Sequence, residues 1–274
     1  MSQQIKVIPG AAMEMISAII PTFNEEVNIK AAIESVLWCD EVIVVDSFST
    51  DRTVEIVQGF PQVRLLVHAF ENHAAQKNWT IPQATHPWIF LLDADERPTP
   101  ELVAEVQTVV QSGTRYSGFW VYRRNQFMGK RINYSGWQSD KVIRLFKRDE
   151  CRYQDKRVHE ELASKGEFGT LRHKLIHNTY KDLASYLKKA DRYTTWGALD
   201  RYQKFARSGR RIGLPYLFLR PFGRFLRHYF WRLGILDGTH GFVVSALAAT
   251  NVFIRGVKIW RLQHGEEIED PYKK

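Results

Sequence analysis

Short apolar runs alternate with longer stretches in which apolar residues recur every three or four positions. Residues 15–21, MISAIIP, form a run closed by Pro21 and read as a buried strand. Residues 25–38, EEVNIKAAIESVLW, place Val27, Ile29, Ala32, Ile33, Val36 and Leu37 at near-helical spacing. The β-branched run DEVIVVD (40–46) reads as a second strand, and Thr50 and Asp51 are candidate caps for a helix over RTVEIVQGF. VRLLVHA (63–69) reads as a third strand. AAQKNWTIPQA (74–84) is a helix weakened by Pro82. WIFLLD (88–93) is a fourth strand, and TPELVAEVQTVVQS (99–112) is a helix with Pro100 near its first turn. Strands alternating with helices predict an α/β fold, with a mostly parallel sheet covered on both faces.

Ligands of such open sheets bind at the carboxyl ends of the strands. The polar residues fall there: Thr22, Asn24 and Glu25 after the first strand, Asp46, Ser47 and Ser49 after the second, Asp93 and Asp95 after the fourth. An isolated acidic group such as that in PWIFLLDADERP can simply mark where a chain meets water. Three clusters converging on one edge favour a ligand site instead. An Asp-x-Asp pair can hold a hard divalent cation, which takes one or two carboxylates and completes its shell with water and substrate phosphate.

The chain has 274 residues, enough for one large domain or a domain with a sizeable extension. Hydrophobic residues at 44% and charged residues at 25% predict a packed core. Two cysteines, Cys39 and Cys151, make neither a disulfide framework nor a zinc site alone, and suit a reducing cytosol. Residues 1–14 lack a signal-peptide pattern and read as a tail. The net charge of +9 is uneven, with nine Lys/Arg and no Asp/Glu from Arg201 to Leu236. From Pro221 onward Phe222, Phe225, Leu226, Tyr229, Phe230 and Leu233 follow a helical period, with Arg224, Arg227, His228 and Arg232 on much of the other side. This predicts an amphipathic helix with a basic face, suited to an anionic membrane surface. Residues 238–254 carry no Asp, Glu, Lys or Arg; at 17 residues they read as a core or monotopic helix rather than a span. A nucleic-acid-binding protein would use the same charge. Against it, the aromatics lie on the apolar face rather than interleaved as stacking platforms, and no nucleic-acid fold signature is present. A metal-dependent phosphohydrolase built on Asp93 and Asp95 would leave Thr22–Glu25 and Asp46 unexplained.

IIPTFNEE, VIVVDSFSTDRT and FLLDADE, in that order, resemble the nucleotide-sugar-binding half of the family-2 glycosyltransferases, which have the GT-A fold. The resemblance covers roughly residues 15–165. The family's second motif commonly reads V-D-D-G-S-T-D; here Ser47 and Phe48 stand where Asp and Gly are usual. NHAAQKNW, RLFKRD, VHEEL and LGILDGTHGF resemble a narrower bacterial subgroup that builds lipopolysaccharide core and includes β-glucosyltransferases acting on heptose. The resemblance implies an inverting, metal-dependent hexosyltransferase with Mg²⁺ or Mn²⁺, a UDP-sugar donor and a lipid-linked glycan acceptor. The implied location is the cytoplasm, peripheral on the cytoplasmic face of the inner membrane. The chain is expected to divide into a catalytic domain over 15–180, with a nucleotide-sugar half to about 112 and an acceptor half beyond, followed by a helical region over 181–274 associated with a membrane surface. Asp95 would ligate the metal, with Asp93 on metal or ribose and His159 completing the site or orienting the base. Thr22, Asn24, Glu25 and Asp46 would grip the nucleotide; Gln76, Lys77 and Asn78 would lie beside base or diphosphate. Arg144 would bind diphosphate or be a surface strand residue, and Lys77 has the alternative of an exposed helix lysine. Glu160, following the V-H pair, would be the catalytic base, with Glu161 as the alternative. Trp137 would stack on acceptor sugar or lie in a core.

Overall fold

The computed structural model describes residues 14–154, 161–180 and 182–269. The chain divides into two compact units. One holds residues up to Arg123 together with Lys141–His177; the other holds Arg124–Asp140 and everything from Asn178 onward.

In the first unit, β1 (Ile16–Thr22) lies between β2 (Glu41–Asp46) and β4 (Trp88–Leu91), parallel to both, and β3 (Val63–Val67) runs parallel on the outer side of β2. This is the parallel half anticipated from the pattern. Alternate residues serve the two faces. Ile20, Val44 and Phe90 pack with Ile29 and Ile33 of α1 (Ile29–Glu34) and Leu102 and Val106 of α4 (Pro100–Gln111). Ile19, Ile43, Val45 and Ile89 pack with Ala74 of α3 (His73–Thr80) and with Ile81. Further strands extend the sheet in a mixed arrangement: β5 (Glu96–Pro98), β6 (Gly118–Phe127), β8 (Lys141–Lys147) and β11 (Phe168–Tyr180), in the order β3-β2-β1-β4-β8-β6-β11-β5, with β7 (Lys130–Arg131) beside β6. Here β8 runs antiparallel to β4 and β6, and β5 antiparallel to β11. A small antiparallel pair joins β9 (Cys151–Tyr153) to β10 (Leu162–Ser164).

Two predicted helices are shorter than the apolar period suggested. The Glu25 carbonyl accepts from the N–H groups of both Asn28 and Ile29, a turn that delays α1 to Ile29. α3 stops at Thr80 and passes into a 3-10 turn over Ile81–Gln83, because Pro82 lacks the N–H an α-helix would use. Between β2 and β3, α2 spans Thr53–Gln58.

The second unit is built on three helices, α5 (Leu183–Arg207), α6 (Leu214–Leu226) and α7 (Gly238–Gln263). Asp182 caps α5 in a reciprocal box with Ser185. Lys258 Nζ on α7 lies 2.6 Å from Asp191 Oδ1 and donates to Thr195 Oγ1 at 2.7 Å, tying α7 to α5. The LGILDGTHGF segment is a packing device. Asp237 is buried and accepts from the backbone N–H of Asn133 (3.1 Å) and Tyr134 (2.8 Å). A Cβ on Gly241 would fall 1.8 Å from the Gly234 carbonyl oxygen, so only glycine permits that approach. Residues Gly234–Gln263 are long and apolar enough, by length and composition, to cross a membrane; α7 packs on α5 and α6. Trp137 is half-buried against an aromatic cluster of this unit, edge-on to Phe127 at 6.0 Å.

The predicted basic-faced helix differs in detail. It begins at Leu214, with Pro221 inside it, and Arg227–Trp231 form a π-helical turn. Phe225 and Tyr229 turn inward against Phe242, while Phe222 and Phe230 face outward. Arg224 is half-buried, and burial, then the Arg227 and Arg201 charges, pulls its pKa down.

Candidate active site

The register sets Thr22 beside Asp46 at the carboxyl ends of β1 and β2. The chain then reverses with Asn24 and Phe48 in the left-handed region, at φ +54° and +60°. The two turns are knitted together. Ser49 donates to both Asp46 oxygens, from its N–H to Oδ2 (2.8 Å) and its hydroxyl to Oδ1 (2.5 Å), and accepts from Asn24 N–H at 2.8 Å. Asn24 Oδ1 accepts from Thr50 N–H at 2.8 Å, and Glu25 N–H donates to Thr53 Oγ1 at 2.8 Å. Ser47, where the resembling family commonly has Asp, accepts from Gln76 Nε2 at 2.5 Å. Thr22 Oγ1 is buried with no hydrogen-bond partner among the described residues. These residues therefore form one rigid edge, and Gln76 reaches it from α3.

The acidic loop after β4 rests on a buried ion-pair network. Arg144, on β8, is 4% exposed and its Nη2 bonds both Asp93 Oδ2 and, at 2.8 Å, Glu96 Oε1; its Nε lies 2.8 Å from Glu96 Oε2. Arg123 Nη1 lies 3.4 Å from Glu96 Oε1. Glu96 is fully buried, and its charge is matched by these two guanidiniums rather than by water. Burial alone would raise the Asp93 pKa; the charges of Arg144, Lys77, Arg123 and His177 reverse this and hold the carboxyl well below the usual range. Burial likewise works against Arg144, and the Asp93 and Glu96 charges carry its pKa well above the ordinary value. Arg144 is thus not a surface strand residue, and its guanidinium is committed to two carboxylates.

Asp95 is not part of the Arg144 pair. Its Oδ2 lies 3.4 Å from Nε2 of His177 on β11, and it remains partly open to solvent. Arg97 Nη1 donates to the Ala94 carbonyl and Nη2 to the Asn28 carbonyl, both at 2.7 Å, linking the acidic loop to the β1 turn. Among the described residues no three His, Cys, Asp or Glu side chains form a metal cage. Mg²⁺ and Mn²⁺ do not require one; a single open carboxylate plus phosphate oxygens is a sufficient donor set, and Asp95 fits it.

The α3 residues separate by role. Lys77 is buried rather than an exposed helix lysine; its Nζ lies 5.0 Å from the Tyr153 ring centroid, and its charge acts on Asp93. Asn78 exchanges two 2.8 Å bonds with the Tyr153 backbone, so its amide ties α3 to β9. His159 and Glu160 lie outside the described residues. Glu161 is exposed and its carbonyl accepts from Gln154 N–H at 2.9 Å.

Glu96, Arg123 and His177 also belong to the acidic-loop network, although no sequence pattern singles them out as site residues. Glu96 was visible beside the Asp-x-Asp pair. Nothing in the chain near Arg123 or His177 marks them, because their partners are supplied by strand pairings such as Glu96 opposite His177.

Residues 17–172 match the model of the family described as Glycosyl transferase family 2. The chain is 30% identical over 257 residues to the lipopolysaccharide core biosynthesis glycosyltransferase LpsC of Rhizobium meliloti (strain 1021), covering 90% of this chain and 92% of that one. It is 28% identical to an uncharacterised glycosyltransferase of Rickettsia typhi, over 91% and 88% of the two chains. Among solved structures, glucosyl-3-phosphoglycerate synthase from Mycobacterium tuberculosis, in complex with Mn²⁺, UDP and phosphoglyceric acid, is similar over 41% of this chain and 44% of that one. The identity there is 21% and the TM-score 0.35. The family match over more than half of the chain, with the LpsC likeness over nearly all of it, shows that this chain belongs to glycosyltransferase family 2 and is a glycosyltransferase.

Proposed function

We propose that the enzyme transfers a hexose, in the first instance glucose, from a UDP-sugar to a lipid-linked glycan of the lipopolysaccharide inner-core type, with inversion. The observation that carries this reading is the converging edge: Thr22, Asn24 and Asp46 at the ends of β1 and β2, with Asp95 presented from a loop that Arg144 and Glu96 hold rigid. The acceptor class is supported by the likeness to LpsC.

Thr22, whose buried hydroxyl has no partner among the described residues, and the Asp46 turn would bind the nucleoside. Asp93, kept ionised by its cationic neighbours, would accept from ribose hydroxyls. Asp95 would hold Mg²⁺ or Mn²⁺, which when bound neutralises the charge developing on the departing diphosphate. His177 orients the Asp95 carboxylate from β11. Glu160 would take the proton of the acceptor hydroxyl as its oxygen bonds the anomeric carbon and the bond to the diphosphate oxygen breaks, releasing UDP.

The test is transfer from a panel of UDP-hexoses to a deacylated inner-core acceptor. Glu160→Gln keeps shape and removes proton acceptance; turnover should fall about 10²–10⁴-fold with donor affinity nearly unchanged. A large loss in Glu161→Gln with none in Glu160→Gln would move the base by one residue. Absence of transfer from every UDP-hexose would defeat the donor assignment.

A further inference from the structure

The second unit carries a helix turned apolar side out. Along α6 and the turn that follows it, one face packs inward: Leu217 closes on Gly256, and Phe225 and Tyr229 pack against Phe242 at 5.5 and 5.7 Å. The adjoining stripe carries Leu214, Phe218, Leu219, Phe222, Phe230 and Trp231, which are 53% to 85% exposed. Leu214, Phe218, Phe222 and Phe230 follow one another every four residues once the 37%-exposed Leu226 is counted between the last two, with Leu219 and Trp231 beside them, so they form one continuous ridge rather than scattered positions. A helix that only needed to cover its own core would place polar residues there. A contiguous apolar ridge of this extent marks an interaction surface.

Charge identifies what covers it. Lys204, Arg207, Arg210, Arg211, Arg220 and Arg227 are all exposed, and the chain has no acidic residue from Arg201 to Leu236. A second copy docking ridge to ridge would bring these cations against their own counterparts, a like-charge juxtaposition. An anionic bilayer surface offers both matching halves: phosphate headgroups for the arginines and acyl chains for the ridge. Phe and Trp on such a face are the residues that settle at that boundary.

We infer that the α6 ridge inserts in the plane of an anionic phospholipid bilayer, with Phe218, Phe222 and Trp231 among the acyl chains and Arg220 and Arg227 at the headgroups. The inference concerns the second unit alone and does not depend on the donor or acceptor proposed above. An in-plane helix of this kind enters the headgroup–acyl boundary to a depth of about 5–10 Å.

The probe is a vesicle of phosphatidylcholine with phosphatidylglycerol, against phosphatidylcholine alone, using the full chain in flotation. Wild type should float with the anionic vesicles. Phe218→Gln with Phe222→Gln should lower the partition constant about tenfold or more, because two large apolar side chains no longer leave water. The thermal midpoint should hold, since both positions are exposed in the free protein. Arg220→Glu with Arg227→Glu should weaken binding in low salt and flatten its salt dependence. Lipids brominated at mid-chain should quench fluorescence in wild type more than in Trp231→Phe. UDP binding, built in the first unit, serves as the control that the chain is intact. Failure of wild type to float with anionic vesicles overturns the inference, as does equal binding by the double Gln variant. A sedimenting dimer that Phe222→Gln dissociates would assign the ridge to a second copy instead.

Discussion

Asp93 is ionised because Arg144, Lys77, Arg123 and His177 surround it, and that arrangement links the acidic loop to pH. Its folded pKa is depressed relative to an unfolded value of about 3.9. The stability it contributes is therefore fully present above that value and is lost as pH falls toward the depressed folded one. Its side chain is 37% exposed, so screening keeps the contribution to about 1 kcal/mol. Asp93→Asn should lower the urea midpoint at pH 7, and the gap to wild type should narrow progressively as pH falls below about 4; a gap that widens in acid would contradict the assignment. Phe48 raises a second residue-scale point. It occupies φ +60° where the resembling family commonly has glycine, and its side chain is exposed. A non-glycine residue in that region costs about 1–2 kcal/mol, partly offset in any glycine variant by the greater freedom of its unfolded chain. Phe48→Gly should raise the thermal midpoint slightly, by up to about 1 kcal/mol in stability; a clear loss would show that the phenyl ring makes contacts that outweigh the strain. At this scale Thr22, Asp46, Asp93 and Asp95 were legible because each follows a recognisable apolar strand. Arg144 was visible as a candidate but its partners were not, since Asp93 and Glu96 meet it through the pairing of β4 with β8, some fifty residues apart in the chain.

Elements were legible where one period dominated. The β1–β4 strands and α4 follow their apolar patterns closely, whereas the shorter strands β5, β7, β9 and β10 have too few residues to show alternation. The α6 pattern was read as helical, but periodicity alone does not say which apolar stripe faces the protein. The partner decides: Phe242 of α7 takes Phe225 and Tyr229, and leaves Phe222 and Phe230 outside. The same close packing makes a sharp test. A Cβ at Gly241 would meet the Gly234 carbonyl oxygen at 1.8 Å and Asp237 Cβ at 3.0 Å, while one at Gly223 would meet nothing within 4 Å. Gly241→Ala should destabilise the protein by about 1–3 kcal/mol or more through overpacking. Gly223→Ala, within α6, should be neutral or stabilising by up to about 1 kcal/mol. Differential scanning calorimetry of the two variants checks both; equal behaviour would mean that the Gly234–Gly241 contact does not constrain the unit.

For the whole molecule, chain order and spatial grouping diverge. Residues 124–140 belong with the C-terminal helices although β8, which follows them, returns to the first unit. Asp237 is the physical reason within the second unit, since it binds the backbone of Asn133 and Tyr134 across a hundred residues of sequence. No local pattern announces that contact. The proposed donor site rests on Asp95 at the carboxyl ends of the parallel strands. Isothermal calorimetry of UDP binding to the full chain, with Mn²⁺, with Mg²⁺ and with excess EDTA, tests it most directly. Wild type should bind UDP only with metal and lose binding in EDTA, and Asp95→Ala should lose it with the thermal midpoint unchanged. UDP binding that is equally strong in EDTA or in Asp95→Ala, or no UDP binding under any of these conditions, would contradict it.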